Sequence, residues 1–196
     1  MPLLRLCALA CACLALISCR DPDPVSYAAV LQDPVLARMA AQTDPLGATG
    51  GGYYDLAGLP VQFAFSSVQS PQGKAAGQFH IYADEGDGLT VDVAGEVICM
   101  TEDAVNHRAW IGALVTRNSS TDPAFQTEIH EVGDDVWFRV VDYGEGSSTI
   151  PDRTSFTGFK GAAGIQTSPE YCAARIWPDG DARTWPVTAG TISVRP

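Results

Sequence analysis

The chain has 196 residues, with 12 Lys and Arg against 23 Asp and Glu, which gives a formal net charge of −11 at pH 7. This excess of acid repels phosphate backbones, so the composition argues against a nucleic-acid partner. The 19 glycines and 13 prolines are many for a helical protein and fit a sheet protein with numerous turns.

The first eighteen residues have the pattern of an export signal. Arg5 supplies a positive charge, and Leu6 to Ile17 form an apolar run that is too short to span a bilayer. The run ends in Leu16-Ile17-Ser18-Cys19, which resembles the lipobox of bacterial lipoproteins. The resemblance implies cleavage before Cys19, a diacylglycerol on its thiol and a membrane anchor in the cell envelope. Arg20 stands where an inner-membrane retention signal has aspartate, which favours the outer membrane in a Gram-negative cell.

Two other interpretations of this segment stay open. It can be an ordinary secretory peptide that is cut nearby, or an apolar helix that merely contains Cys7, Cys11 and Cys13. Removal of residues 1–18 takes Arg5 away and makes the net charge −12. The remaining length is enough for one domain with a core and a tether.

Residues 19–52 lack strand alternation and are predicted to be a mostly irregular tether. The stretch contains repeated Asp-Pro pairs and ends in Gly50-Gly51-Gly52. Within it, Asp33 and Pro34 can begin a short helix, with an apolar stripe formed by Leu36, Met39 and Ala40. The β-rich domain is therefore predicted over residues 53–196.

Seven strands are predicted in this domain from alternation and β-branched or aromatic content. They cover 61–68, 78–83, 89–101, 109–116, 136–142, 171–177 and 188–194. Turn residues separate them, as in Ser70-Pro71-Gln72-Gly73, in 84–88 and in 178–181. No ten-residue amphipathic helix is visible between them, which argues against alternating βαβ units. The expected fold is all-β: an antiparallel β-sandwich or a closed β-barrel of about eight strands.

The clearest strand signal is the run from Asp134 to Gly146. Val136, Phe138 and Val140 fall on one face and alternate with residues of the other face. Together with the segments around Val97-Ile98-Cys99, Ala109-Trp110-Ile111-Gly112, 115–120 and Pro151-Asp152, this run resembles a group of uncharacterised secreted bacterial β-rich proteins. The similarity covers roughly Gly77 to Ala174.

The most specific piece of that resemblance is Val141-Asp142-Tyr143-Gly144-Glu145-Gly146, a Val-Asp-x-Gly-Glu-Gly motif. The group commonly has asparagine where this chain has Tyr143. The resemblance implies an exported all-β domain. It implies no catalytic residues, because the group has no assigned activity.

Cys99 and Cys172 are the two cysteines that follow Cys19. An even pair in an exported chain is expected to form a disulfide, here between two predicted strands. The alternative is a pair of buried free thiols.

Acidic and histidine side chains are the candidates for a metal site. Asp142, Glu145 and Asp152 lie around a glycine-spaced turn, and such carboxylates suit calcium or, less well, the acid and base of a glycosidase. The alternative is a structural hairpin turn. His80, His107 and His130 lack the close spacing of a zinc motif, and the pair Glu128 and His130 lacks a third ligand, so no metal or cofactor is expected.

No catalytic set is recognisable. Ser155 and Ser168 lie near turn residues and outside any Gly-x-Ser-x-Gly motif. The four tryptophans, Trp110, Trp137, Trp177 and Trp185, are interpreted as half-buried packing residues, with the walls of a ligand pocket as the alternative.

Three functions follow from these observations. The first is a non-catalytic, lipid-anchored envelope protein that binds or scaffolds another envelope component. The second is a small-ligand-binding β-barrel or sandwich, and the third is an acidic inhibitor of a basic secreted enzyme such as a muramidase.

Overall fold

A computed structural model describes residues 46–127, 130–144, 150–178 and 183–195. The predicted signal peptide, Cys19 and most of the predicted tether lie outside the described residues. The strands are β1 Leu46–Leu56, β2 Leu59–Gln69, β3 Ala75–Gly86, β4 Leu89–Asp103, β5 Arg108–Asn118, β6 Asp135–Val141, β7 Arg153–Thr154, β8 Gly158–Phe159 and β9 Trp185–Arg195. The helices are α1 Ala124–Thr127, a 3₁₀ turn at Ala162–Gly164, and α2 Ser168–Ala174.

The strands close into an eight-stranded antiparallel β-barrel. β1 to β6 pair in sequence order, β7 lies between β6 and β9, and β9 returns to pair with β1. The short β8 pairs with β6 outside this ring. The all-β prediction is confirmed, and of the two predicted architectures the barrel is the one observed.

Aromatic side chains fill the interior. The ring of Phe138 lies 5.3 Å from that of Phe65 and 6.2 Å from that of Phe79, with Phe63 and Tyr54 continuing the cluster. The cavity that these side chains line has a volume of about 10 Å³, room for about one water molecule. Eight strands make a barrel that side chains can just fill. The interior cavity that these described side chains line is therefore too small for a small-molecule ligand.

The two ends of the barrel differ. At one end the connection from β5 to β6 folds back, and Phe125 of α1 packs against the core; we call this the capped end. At the other end lie Leu46, Gln69, Asp103 and Val141, which open a cleft described below; we call this the open end. β1 begins and β9 finishes at the open end, where Gly47 pairs with Arg195.

A second, smaller hydrophobic cluster lies outside the barrel, where α2 covers β4 to β6. It contains Trp110, Trp137, Ile165 and Tyr171, and the Trp137 and Tyr171 rings stack with centroids 5.6 Å apart. Both faces of β6 are therefore buried, including the Arg139 side chain, which donates to the carbonyl of Trp177.

The predicted strand at 171–177 is wrong, because this segment contains most of α2. Thr167 caps the helix by accepting a hydrogen bond from the backbone N–H of Glu170, while Glu170 accepts one from Gln166. Pro169 lies in the first turn, where its missing N–H has no cost. The apolar residues after the cap pack on the barrel as one helix face, and their short run resembles a strand in sequence.

The predicted domain boundary at residue 53 is also wrong, since β1 begins at Leu46. The three glycines that suggested a tether lie inside β1. A Cβ on Gly50 would come within 2.7 Å of the Phe65 ring and 2.9 Å of Ile192, so this strand needs glycine to let the aromatic core fill the barrel.

Candidate functional site

The predicted disulfide is confirmed. Cys99 on β4 and Cys172 on α2 are bonded, with Cα atoms 6.3 Å apart. The partner of Cys99 lies on a helix and not on a second strand, so the bond fixes α2 to the outer face of the barrel. Ser168 fastens the start of the same helix by donating from its hydroxyl to the carbonyls of Ala113 and Val136, which lie at 2.9 and 2.8 Å.

Asp142 and Asp152, two of the three calcium candidates, serve as acceptors for backbone N–H groups. Asp142 accepts from Gly144 at 2.7 Å and from Val194 at 2.9 Å. Asp152 accepts from Tyr143 at 2.9 Å and from Ile192 at 2.7 Å. We call this pair the carboxylate clamp. The third candidate, Glu145, lies outside the described residues.

The clamp lies where the barrel is most weakly paired. β7 provides only two residues between β6 and β9, so most of β9 has no ladder partner on that side among the described residues. The two carboxylates replace those partners by accepting from the β9 amides of Ile192 and Val194. This arrangement supports the interpretation of the turn as structural. Within the described residues no group of three or more His, Cys, Asp or Glu side chains is placed to hold a metal ion.

The three histidines lie apart. His107 occupies the β4–β5 turn at the open end, and His130 is buried at the capped end against the rings of Phe125 and Phe159. His80 faces outward on β3 and contacts Asp92 at 2.9 Å, and Arg117 of β5 contacts the same carboxylate.

The cluster of His80, Asp92 and Arg117 is an exposed ion pair network. Partial burial opposes ionisation of Asp92, but the hydrogen bonds from Arg117 and His80 outweigh it and hold the pKa of this carboxyl below its usual value. Ion pairs at such exposed positions contribute little to stability. The network joins three neighbouring strands without enclosing a space for a substrate.

The tryptophans and serines singled out in the sequence have packing or hydrogen-bonding roles. Trp110 and Trp137 are buried under α2, and the indole of Trp110 donates to the carbonyl of Ile176 at 2.9 Å. Trp177 packs on the same outer cluster, and Trp185 packs on the barrel core near Tyr54. Ser155 accepts from the amide of Arg139. None of the described tryptophans forms the wall of a ligand-sized pocket inside the barrel.

A cleft at the open end is the site that the sequence did not reveal. Its volume is about 400 Å³, which is within the range of small-molecule sites. It is lined by Leu46, Gln69, Met100, Thr101, Glu102, Ala104 and Arg175. Gln69 shapes one wall, because its side-chain amide donates to the carbonyls of Met100 and Gly73, both at 3.2 Å.

Glu102 is the unusual residue of this cleft. Both carboxylate oxygens are shielded from water, and neither accepts a hydrogen bond from any described residue. Burial, with a smaller contribution from the neighbouring Asp103, raises the pKa of Glu102, against an opposing effect of His107. Glu102 as a whole is half-buried, but carboxylate oxygens that are shielded from water and have no partner are costly to the fold and often occur at functional sites.

Arg175 brings the opposite charge to the same cleft. It follows α2 directly and has a left-handed backbone conformation, with φ at 46°, that is uncommon for residues other than glycine. Its side chain is exposed, and no ion pair joins it to Glu102 or to another described residue. Two opposite charges therefore line one cleft without neutralising each other.

The disulfide joins the two segments of the chain that contain Glu102 and Arg175. Glu102 lies three residues after Cys99 on β4, and Arg175 lies three residues after Cys172 at the end of α2. Three strand residues span about 10 Å and three helical residues about 4.5 Å, so both charged residues stay close to the covalent cross-link. Sequence spacing gave no signal for this pairing, because it depends on where α2 docks.

Comparisons with known proteins assign no function to this cleft. No protein-family model matches the chain, and neither a curated protein nor a solved structure is detectably similar to it. The lipobox and the resemblance to secreted β-rich proteins therefore stay predictions. None of the helices in the described part of the chain is long and apolar enough to cross a membrane.

Proposed function

We propose that the protein is a non-catalytic lipoprotein of the cell envelope, whose barrel binds or scaffolds another envelope component. The observation that carries the proposal is the disulfide between Cys99 and Cys172, since such bonds persist in exported proteins and are rare in the cytosol. The sequence Leu16-Ile17-Ser18-Cys19 adds the lipid anchor. The filled interior directs binding to the outer surface and the open end.

Lipid attachment is tested by metabolic labelling with a fatty-acid probe. Wild-type chain should carry the label, and Cys19→Ser should lose it and accumulate as precursor or soluble protein. Cys13→Ser, which leaves the predicted lipobox intact, is the matched control and should label normally. Equal labelling of Cys19→Ser and wild type would contradict the anchor.

Partner binding is tested in cells by photo-crosslinking from the surface of the anchored protein. A crosslinking residue at Val105, which is 88% exposed at the open end, should give specific adducts. The same residue at Leu89, which begins β4 at the capped end, serves as the comparison. The absence of any adduct beyond those of an unrelated lipoprotein from either position would count against a binding role.

The acidic net charge supports a second candidate, an inhibitor of a basic secreted enzyme. If electrostatic attraction steers the two proteins together, the association rate constant must fall steeply as the salt concentration is raised. Binding to a muramidase that does not change between low and high salt would remove the reason for this candidate.

A further inference from the structure

We infer that the cleft at the open end binds a short zwitterionic peptide, with Glu102 taking its ammonium group and Arg175 its carboxylate. The inference rests on the binding role proposed above and gives that role a site and a ligand class. Glu102 and Arg175 line one cleft of about 400 Å³, and each lacks an ion-pair partner among the described residues.

The unpartnered charges are the first step of the argument. A carboxylate that is shielded from water and has no hydrogen-bond donor is unfavourable, and this cost is relieved when a cation arrives. Binding requires the Glu102 carboxylate, which is shielded from water in this structure, to rotate from the cleft wall toward the ligand. An ammonium group has three donors and a full positive charge, so it satisfies both oxygens.

Arg175 indicates that the second charged group of the ligand is a carboxylate. A guanidinium presents a planar fork of N–H donors that matches a carboxylate in two parallel hydrogen bonds. A simple cation would leave Arg175 unpaired, and a simple anion would leave Glu102 buried without a partner. A molecule that carries both charges satisfies both residues at once.

The remaining lining fits a peptide between its charged ends. Leu46, Met100 and Ala104 offer apolar contact for small side chains, and the cleft opens at the rim where a ligand can enter.

The disulfide makes the site dependent on oxidation. Glu102 and Arg175 are three residues from its two ends, so the bond limits how far the two charges can separate. Reduction would release α2 from β4 at this point and disperse the charges.

The test is calorimetric titration of the oxidised full chain in detergent with di-, tri- and tetra-alanine. These peptides carry the two terminal charges at increasing separations, and N-acetyl tetra-alanine amide carries neither. We expect one of the uncapped lengths to bind and the capped peptide not to bind. Glu102→Gln and Arg175→Gln should each weaken binding by about tenfold or more. Treatment with a thiol reductant should weaken it as well.

The matched control is Glu96→Gln, which removes an exposed carboxylate from the outer face of the same strand and should keep the wild-type affinity. Equal binding of capped and uncapped peptides overturns the inference, as does the absence of binding to oxidised protein. Binding that both cleft variants leave unchanged also overturns it. If the titration fails while crosslinking from Val105 still captures an envelope component, the proposed function stands and the peptide site does not.

Discussion

Ionisation of Glu102 lowers the stability of the folded protein. Its raised pKa means that the unfolded chain loses the proton first as the pH rises, starting near the ordinary value of 4.5. Over the interval from there to the higher folded-state pKa, ionisation favours the unfolded state. The contribution of Glu102 to stability is therefore greatest below about pH 4 and falls as the pH rises.

We expect Glu102→Gln to be more stable than wild type at pH 7, because the amide keeps the shape of the side chain and removes the buried charge. The gain should shrink as the pH is lowered below about 4, where wild-type Glu102 is protonated in both states. Urea denaturation of both proteins across this pH range measures the difference. A variant that is less stable than wild type at pH 7 would show that the carboxylate has a favourable partner.

Gly144 marks a position where the backbone demands glycine. It follows the carboxylate clamp residue Asp142 with φ at 91°, in the left-handed region that β-branched residues avoid. No described residue would come within 4 Å of a Cβ there, so the cost that the described structure shows is that of the backbone conformation. We expect Gly144→Val to destabilise the protein by about 1–3 kcal/mol.

The control for this position is Gly144→Asn, which tolerates a positive φ and should cost less than valine. Thermal or urea unfolding provides the comparison. Equal stability of the valine variant and wild type would mean that this turn relaxes freely.

At the scale of elements, α2 depends on its cross-link. The bond closes a loop of 73 positions, for which the chain-entropy model gives a stabilisation of about 4 kcal/mol. We expect Cys99→Ser/Cys172→Ser to lose up to about that amount in urea denaturation. The outer cluster around Trp137 and Tyr171 should loosen, which tryptophan fluorescence would report.

The reduced wild-type protein is the companion measurement, since it keeps both sulfur atoms. It should match the double variant. A double variant as stable as oxidised wild type would show that Ser168 and the stacked rings hold α2 without the bond.

The carboxylate clamp holds β9 in place, as the disulfide holds α2. Asp152→Ala removes the carboxylate that accepts from the amides of Tyr143 and Ile192, and Ile192 is fully buried. Because charge-assisted hydrogen bonds and stranded buried groups are both involved, we expect a loss of about 2–4 kcal/mol. Glu96→Ala, an exposed position with no such role, should change stability by less than about 0.5 kcal/mol.

The effect of calcium on the melting temperature distinguishes a structural clamp from a metal site. With the clamp oxygens engaged by backbone amides, melting curves with calcium and with chelator should coincide. A rise of several degrees in calcium that disappears in Asp142→Asn would show that the turn binds the ion.

At the scale of the whole molecule, the barrel has one weak seam. β3 and β4 share a long ladder, whereas in the described part of the chain β6 has no ladder with β9 and is joined to it mainly by the two residues of β7 and by the clamp. We expect amides at the seam, such as that of Val187, to exchange with solvent through local opening. Amides of Phe79 and Val93, in the long ladder, should exchange only on global unfolding. Hydrogen exchange followed by NMR would test this, and uniform protection would contradict it.

The sequence predicted the parts of the fold that alternate clearly. The strands at 61–68, 78–83, 89–101, 109–116, 136–142 and 188–194 correspond to β2 to β6 and β9, because inward and outward positions repeat with a period of two. β1 was missed since its glycines resemble a linker. β7 and β8 are too short to leave a pattern.

The site was less predictable than the fold. The disulfide could be inferred because an exported even pair of cysteines has few alternatives. Glu102 and Arg175 are 73 positions apart and belong to different elements, so only the docking of α2 brings them to one cleft. The capping residues from Thr167 to Glu170 were the one signal that could have placed this helix.

The cleft and the start of β1 lie at the same end of the barrel, and this limits how far the cleft can be from a membrane anchor. Leu46 lines the cleft and is 27 positions from Cys19, a length of chain that spans at most about 97 Å when fully extended. With the proposed lipid on Cys19, the chain that follows the lipid joins the barrel at the same rim through which a ligand enters. The cleft then lies no farther from the membrane than this extended length of chain, and a ligand fixed at a greater distance cannot reach it.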